Sequence, residues 1–230
     1  VLPKLMAASG RLMPVIGYEH THSISGLFGE MHHSVMLALG NEQAALLFVW
    51  VTTLTMLAIL VSLCGSLGVG NVGKVVAMVM LLSSTAVSFY MIDGKVDVFA
   101  ACLGLAALYW VVEVKRSSVN WSAFYLAGLF TGFAVVAKAT YVIAVALPIS
   151  IILLWEVRKS RYPMHVWIRF ILIMILPLFT LVVKNSILFQ EPFAPFVFLD
   201  GEIGDKYNSQ GYWNSLDVAR NILLTYPFAL

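Results

Sequence analysis

The chain has 230 residues, of which 60% are hydrophobic and only 11% charged, with a mean hydropathy of +0.90 and a formal net charge of +2. Soluble domains carry about 25% charged residues, so the composition excludes an ordinary soluble protein and argues for a polytopic membrane protein. Apolar runs recur at helix-spanning length without the short alternating segments of a β-barrel. The expected fold is all-α: a polytopic transmembrane helical bundle of about six spans plus an interfacial helix. Cys64 and Cys102 both lie inside apolar runs, which argues against a disulfide framework or a cysteine metal site.

Residues 1–41 read as an outer loop and hold four of the five histidines. Within them, the stretch from Ile24 to Leu39 places Leu27, Phe28, Met31, Val35 and Leu39 on one helical face, with Glu30 and His33 towards the other. That pattern predicts a helix lying in the membrane interface. The transmembrane bundle is expected over 42–184, and an outer polar segment with the start of a further span over 185–230. Its first span is predicted at about Glu42–Cys64, followed by the Gly-rich turn GSLGVGNVGK, then spans near Val75–Ile92 and Val98–Val114. A sixth span is predicted near Val166–Val183, kinked at Pro177. Residue 1 is Val, and no signal peptide precedes the first span, so the chain reads as starting inside a longer frame.

Between the third and sixth spans lies WSAFYLAGLFTGFAVVAKATYVIAVALPISIILLW, residues 121–155, divided by the single ammonium of Lys138. As one helix it would extend about 50 Å, too long for one crossing; each half falls slightly short of the roughly 20 residues a crossing needs. Two short spans meeting at Lys138 fit better. A lysine left in hydrocarbon costs at least ~2.5 kcal/mol, so the ammonium belongs at an interface or a wet cavity. It is either a snorkelling lysine at a tight helix–helix turn or a cation placed to meet an anionic ligand.

Alternating the spans divides the charges between two faces. One face carries seven basic side chains (Lys74, Lys115, Arg116, Arg158, Lys159, Arg161, Arg169) against Glu113 and Glu156, a net of +5. The other carries seven basic against ten acidic side chains, a net of −3. The basic face consists of short loops, where the positive-inside rule applies best, so it is assigned to the cytoplasm. Residues 1–41, the Asp93–Asp97 turn, Lys138 and the segment after Lys184 are then expected outside.

Asp93, Lys95 and Asp97 stand together at the outer end of the second and third spans. Such carboxylates can bind a cation, act as a general base, or cap a helix. Capping suits Asp93, whereas Asp97 sits farther into an apolar run, where an unneeded charge is expensive. Glu19-His20-Thr21-His22 and Glu30-Met31-His32-His33 carry ligand types suited to Zn²⁺ or a related divalent ion. No H-E-x-x-H motif accompanies them, and they are not expected to form an obligatory metal site. P-loop, G-x-S-x-G and dinucleotide fingerprints are absent, and the charge pattern gives no support to nucleic-acid binding.

The order of several short motifs resembles the GT-C superfamily of membrane glycosyltransferases, the dolichyl-phosphate-mannose protein mannosyltransferase-like enzymes and their bacterial relatives, over their central part. Leu2-Pro3-Lys4-Leu5 with Gly10-Arg11 is similar to part of the family's first outer loop, and Gly29-Glu30-Met31 to the interfacial helix of that loop. Val96-Asp97 with Phe99 and Leu103 resembles the opening of a later span. The best match runs from Ala127-Gly128-Leu129 through Ala137-Lys138-Ala139-Thr140, and Lys184-Asn185 with Glu191-Pro192 and Pro195-Phe196 is similar to a later arginine–asparagine segment. Together these cover about residues 2–197, in the family's order. Departures are the lysine at 184 in place of arginine and Gln190-Glu191 in place of Gly-Asn. The family's catalytic aspartate would fall before Val1.

The resemblance implies transfer of a sugar from a polyprenyl-phosphate donor to an acceptor on the non-cytoplasmic face, in a bacterial cytoplasmic (inner) membrane. It makes Asp97 and Glu30 catalytic candidates and Lys138, Lys95 and Lys4 candidates for the donor phosphate, with a divalent metal compatible and no other cofactor expected. Partners would be the lipid bilayer and the polyprenyl-phosphate sugar. A non-catalytic membrane subunit of a larger complex, built on a truncated GT-C-like scaffold among other membrane subunits, is the competing reading. A transporter fits less well, because inverted repeats with matching interrupted helices are not found.

Overall fold

The structure, a computed structural model, describes residues 2–10, 28–93, 97–116, 121–160, 164–189 and 192–193. Every regular element among these is helical: α1 (Leu2–Ser9), α2 (Phe28–Gly40), α3 (Glu42–Ser66), α4 (Asn71–Ser83), α5 (Thr85–Asp93), α6 (Asp97–Arg116), α7 (Trp121–Ala137), a π-helical turn (Val142–Ala146) leading into α8 (Leu147–Ser160), and α9 (Met164–Phe189). Three segments, Glu42–Ser66, Asp97–Lys115 and His165–Ile187, are long and apolar enough to cross a membrane. Asn71–Ser83, Trp121–Ala137 and Val142–Trp155 are shorter apolar helices. The chain is a helical membrane protein.

Parallel packing of alternate helices gives the bundle two distinct ends. Near the starts of α3 and α6, Phe48 and Phe99 meet with ring centroids 5.4 Å apart. Near their ends, the Ser66 hydroxyl donates to the Glu113 carboxylate. α7 and α9 likewise run the same way: Phe124 lies 4.9 Å from Phe170, while Gly132, two turns further on, faces Met174 and Pro177. The end of α7 returns to the start of α6, where Lys138 meets Asp97, so these two neighbours are antiparallel.

In a membrane the hydrophobic effect does not drive helices together, so close backbone approach and dispersion must do so. α7 provides that approach. A Cβ built on Gly132 would come within 2.3 Å of the Met174 carbonyl oxygen, and one on Gly128 within 2.9 Å of the Phe170 ring. These two glycines form a G-x-x-x-G step in GLFTG, the spacing that lets two helix axes approach. Around the seam Phe124, Phe170, Ala127, Val111 and Leu153 are buried. The outward faces are apolar as well: Val72, Val76 and Met80 on α4, and Leu172, Leu176 and Phe179 on α9, are all at least half exposed. Such faces suit hydrocarbon rather than water. Thr53 and Thr131, buried in the bundle, donate back to Val49 and Ala127 carbonyls at 2.9 and 2.7 Å, which satisfies both hydroxyls within their own helices.

Two expectations from the sequence need correction. The predicted second span is two helices, α4 and α5, interrupted at Ser84, whose ψ of 122° leaves the helical region. The run Ser83-Ser84-Thr85 explains the break, because short hydroxyl side chains bond local backbone groups in place of the helical ladder. Ser83 Oγ donates to Met80 O and Ser88 Oγ to Ser84 O at this point. α2 is rotated from its predicted orientation, with Gly29 and Ser34 turned inward and Leu39 80% exposed. Stacking of Phe28 and His32 on aromatic rings of the bundle sets that rotation. Pro177 lies inside α9, which runs on to Phe189.

The two half-spans do meet at Lys138, as the sequence predicts. α7 ends at Ala137 and the next helical residues begin after a turn at Ala139-Thr140. Asn41 connects α2 to α3 at φ 108°, and its Oδ1 accepts from Gln43 N at 2.8 Å, capping the first long span.

Candidate functional site

Four segments far apart in sequence deliver ionisable side chains to one end of the bundle. Asp97 is the first residue of α6, where a carboxylate is favoured by the unpaired N–H groups and positive dipole end of the helix. Lys138 leaves the end of α7 just before the π-helical turn, and its ammonium donates to Asp97 Oδ1. The Lys138 side chain remains 42% exposed and that of Asp97 23% exposed. An ammonium has three N–H donors, so the pair leaves Lys138 able to donate elsewhere.

Glu30, on α2, lies within electrostatic reach of Asp97, Lys184 and Lys138. Its Oε2 is buried and has no hydrogen-bond partner among the described residues. Burial pushes the Glu30 carboxyl up to about 7, with the Asp97 charge adding to the rise; the glutamate's own backbone N–H, Lys184 and Lys138 oppose it. Lys184 comes from the last turns of α9, and its neighbour Asn185 is fully buried.

Aromatic side chains wall this end. Phe28 stacks on Phe133 at 5.0 Å and tilts against Phe99 at 5.6 Å, while the His32 ring lies 5.3 Å from Phe99 and 6.2 Å from Phe48. His32 Nδ1 is 2.7 Å from the Phe28 carbonyl oxygen; since that oxygen can only accept, Nδ1 carries the hydrogen. A neutral His32 therefore has its lone pair on Nε2. Burial holds the His33 imidazole below its usual range, and its Nδ1 is buried without a hydrogen-bond partner among the described residues.

The candidates named from the sequence thus divide into three groups. Asp97, Glu30 and Lys138 converge. Lys4 does not join them in an ion pair: it bonds Glu42 at 2.5 Å, and both side chains are about 70% exposed. Lys95, His20 and His22 lie outside the described residues, as does the side chain of Asp93. The view of Glu30 as part of a polar, outward face is overturned by its buried oxygen. Among the described residues no three His, Cys, Asp or Glu side chains come together as a metal-binding group. Lys184 is the addition the sequence reading missed as a site residue. Its signal was present, as a charge at the end of a long apolar run followed directly by asparagine.

Chemically, the cluster combines two ammonium groups, one carboxylate and one carboxyl held near neutrality. With Glu30 protonated, Lys138, Lys184 and Asp97 leave one net positive charge beside a largely aromatic wall. That arrangement can hold a singly charged anion attached to an apolar tail. No family model, curated protein or solved structure matches the chain.

Proposed function

We propose that the protein binds a polyprenyl-phosphate-linked sugar at the Glu30–Asp97–Lys138–Lys184 cluster and takes part in transferring that sugar to an acceptor hydroxyl. The observation that carries this reading is the convergence of Glu30, Asp97 and Lys138, three residues singled out from widely separated motifs, with Lys184 beside them. Sugar transfer of this kind breaks the bond from the sugar's anomeric carbon to a phosphate oxygen, and the departing phosphate gathers negative charge. Cations positioned there stabilise it, while a carboxylate accepts the proton of the acceptor hydroxyl. Lys138 and Lys184 fill the first role and Asp97 orients Lys138. A GT-C-like architecture, a bacterial inner membrane and a site facing away from the cytoplasm all belong to the same proposal, the last supported by the net −3 charge of that face against +5 on the other.

The test is transfer of a radiolabelled sugar from a polyprenyl-phosphate donor in proteoliposomes. Wild-type activity with a strong loss in Lys138→Met and Lys184→Met supports the reading. Donor binding with unchanged affinity in both variants would reject it. One observation favours a non-catalytic subunit instead: Asp97 and Lys138 already neutralise one another, as a structural ion pair would. A wild-type protein that binds no donor, yet loses a membrane partner when that pair is broken, would establish this second reading.

A further inference from the structure

Glu30, on α2, ends in a buried oxygen with no hydrogen-bond partner among the described residues. A buried polar atom left unpaired costs about 1–3 kcal/mol, so its retention needs an explanation. The charged and titratable groups facing it come from several helices. α2 packs against α1, α3, α6 and α7. From α1 and α3, Lys4 and Glu42 pair with each other. From α6 and the end of α7 come Asp97 and Lys138, also paired. Lys184 reaches Glu30 electrostatically from α9, and His33, one turn along α2, is itself buried at Nδ1.

We propose that Glu30 acts as a neutral carboxylic acid whose Oε2 hydroxyl donates a hydrogen bond to a non-bridging oxygen of a bound phosphodiester, beside the ammonium groups of Lys138 and Lys184. This deepens the function proposed above and rests on its assignment of the two lysines to a phosphate. A carboxylate there would repel the phosphodiester, whereas a carboxylic acid supplies a donor at a buried oxygen that has no hydrogen-bond partner among the described residues. The elevated proton affinity of Glu30, caused by its burial, keeps that donor in place below neutral pH. Glu30 thereby makes ligand binding depend on proton occupancy within the physiological range.

The consequence is a pH-dependent affinity that originates in the protein. A polyprenyl-phosphate-linked sugar is the suitable probe, because a phosphodiester keeps one negative charge throughout the range, unlike a phosphate monoester whose second pKa is near 6. Binding is measured with purified protein in phospholipid-free detergent from pH 5.5 to 9. Wild-type affinity is expected to fall about tenfold from pH 6 to pH 8.5, the effect of one charge-assisted hydrogen bond. Glu30→Gln keeps an N–H donor and never ionises, so its affinity should stay high and flat across the range. Glu30→Ala should be about tenfold weaker than wild type at pH 6 and equally flat. Wild-type binding that does not change with pH, or a Glu30→Gln variant that keeps the wild-type fall, overturns the role of Glu30. Lys138→Met with wild-type affinity at every pH overturns the underlying phosphate assignment instead. Since membrane phospholipids share the phosphodiester, phosphatidylglycerol is added as competitor; displacement of the probe at equal concentration would overturn the polyprenyl assignment in favour of a bilayer lipid.

Discussion

Lys138 and Asp97, 41 positions apart, form an ion pair where the broken span meets the start of α6. The interruption after Ala137 and the position of Asp97 at the start of its helix are what bring the two side chains together. The pair is partly exposed, so much of its Coulomb energy is offset by hydration. A double-mutant cycle with Asp97→Asn and Lys138→Met should therefore give a coupling of about 1 kcal/mol in unfolding. Additive effects of the two substitutions would mean the pair contributes nothing to the fold.

Gly132 tests the central seam of the bundle. Alanine there must push the Met174 backbone oxygen away from 2.3 Å, and rigid backbone does not yield cheaply. Gly132→Ala should lower unfolding stability by roughly 1–3 kcal/mol. Gly65→Ala is the control, since its added methyl would meet only Lys74 side-chain atoms at 3.7 Å or beyond. That substitution should be neutral or gain up to about 1 kcal/mol from helix propensity. Thermal unfolding of the two variants in one detergent separates these outcomes.

Glu30 should make the unliganded fold less stable as pH rises. Its folded-state value of about 7 lies above the ordinary 4.5, so the protonated acid is the better fit to the fold. The contribution is fully present below about pH 4.5 and is lost as pH climbs through 7. A shift of that size corresponds to on the order of 3 kcal/mol. Comparing wild type with Glu30→Gln from pH 4.5 to 8 should show a slope in wild type that the variant lacks; parallel curves would remove Glu30 as its source.

The membrane orientation can be read by labelling. Asn71 and Thr140 are both exposed, at opposite ends of the bundle. With Cys64 and Cys102 replaced by alanine, Thr140→Cys in intact cells should react with an impermeant thiol reagent and Asn71→Cys should not. The reverse pattern would place the charged cluster in the cytoplasm.

Much of this was legible in the sequence where one strong physical cost acts alone. A lysine between two apolar halves cannot lie in hydrocarbon, and the chain does break there. Long apolar runs such as 42–66 likewise announced themselves through length and composition. The interruption at Ser84 was hidden, because mean hydropathy carries through a serine–threonine step that backbone hydrogen bonding does not. The rotation of α2 was hidden for another reason: its face is decided by Phe48, Phe99 and Phe133 on other helices, which its own periodicity cannot report. The family resemblance made Lys4 a phosphate candidate, and its pairing with the exposed Glu42 carboxylate depends on how α1 sits beside the start of α3, which local sequence cannot report. Lys184 was noticed only as a motif match, since its proximity to Glu30 depends on how α9 packs beside α7.

The most direct measurement compares binding of a polyprenyl phosphate with that of the polyprenol of equal chain length, in wild type and in the Lys138→Met/Lys184→Met double variant. The cluster predicts that the phosphate strengthens wild-type binding roughly ten- to hundredfold, as about 1.5–3 kcal/mol for a charge-assisted contact requires. That advantage should largely vanish in the double variant, with the polyprenol unaffected. Equal wild-type affinity for phosphate and alcohol would contradict the assignment of this cluster as a lipid-phosphate site.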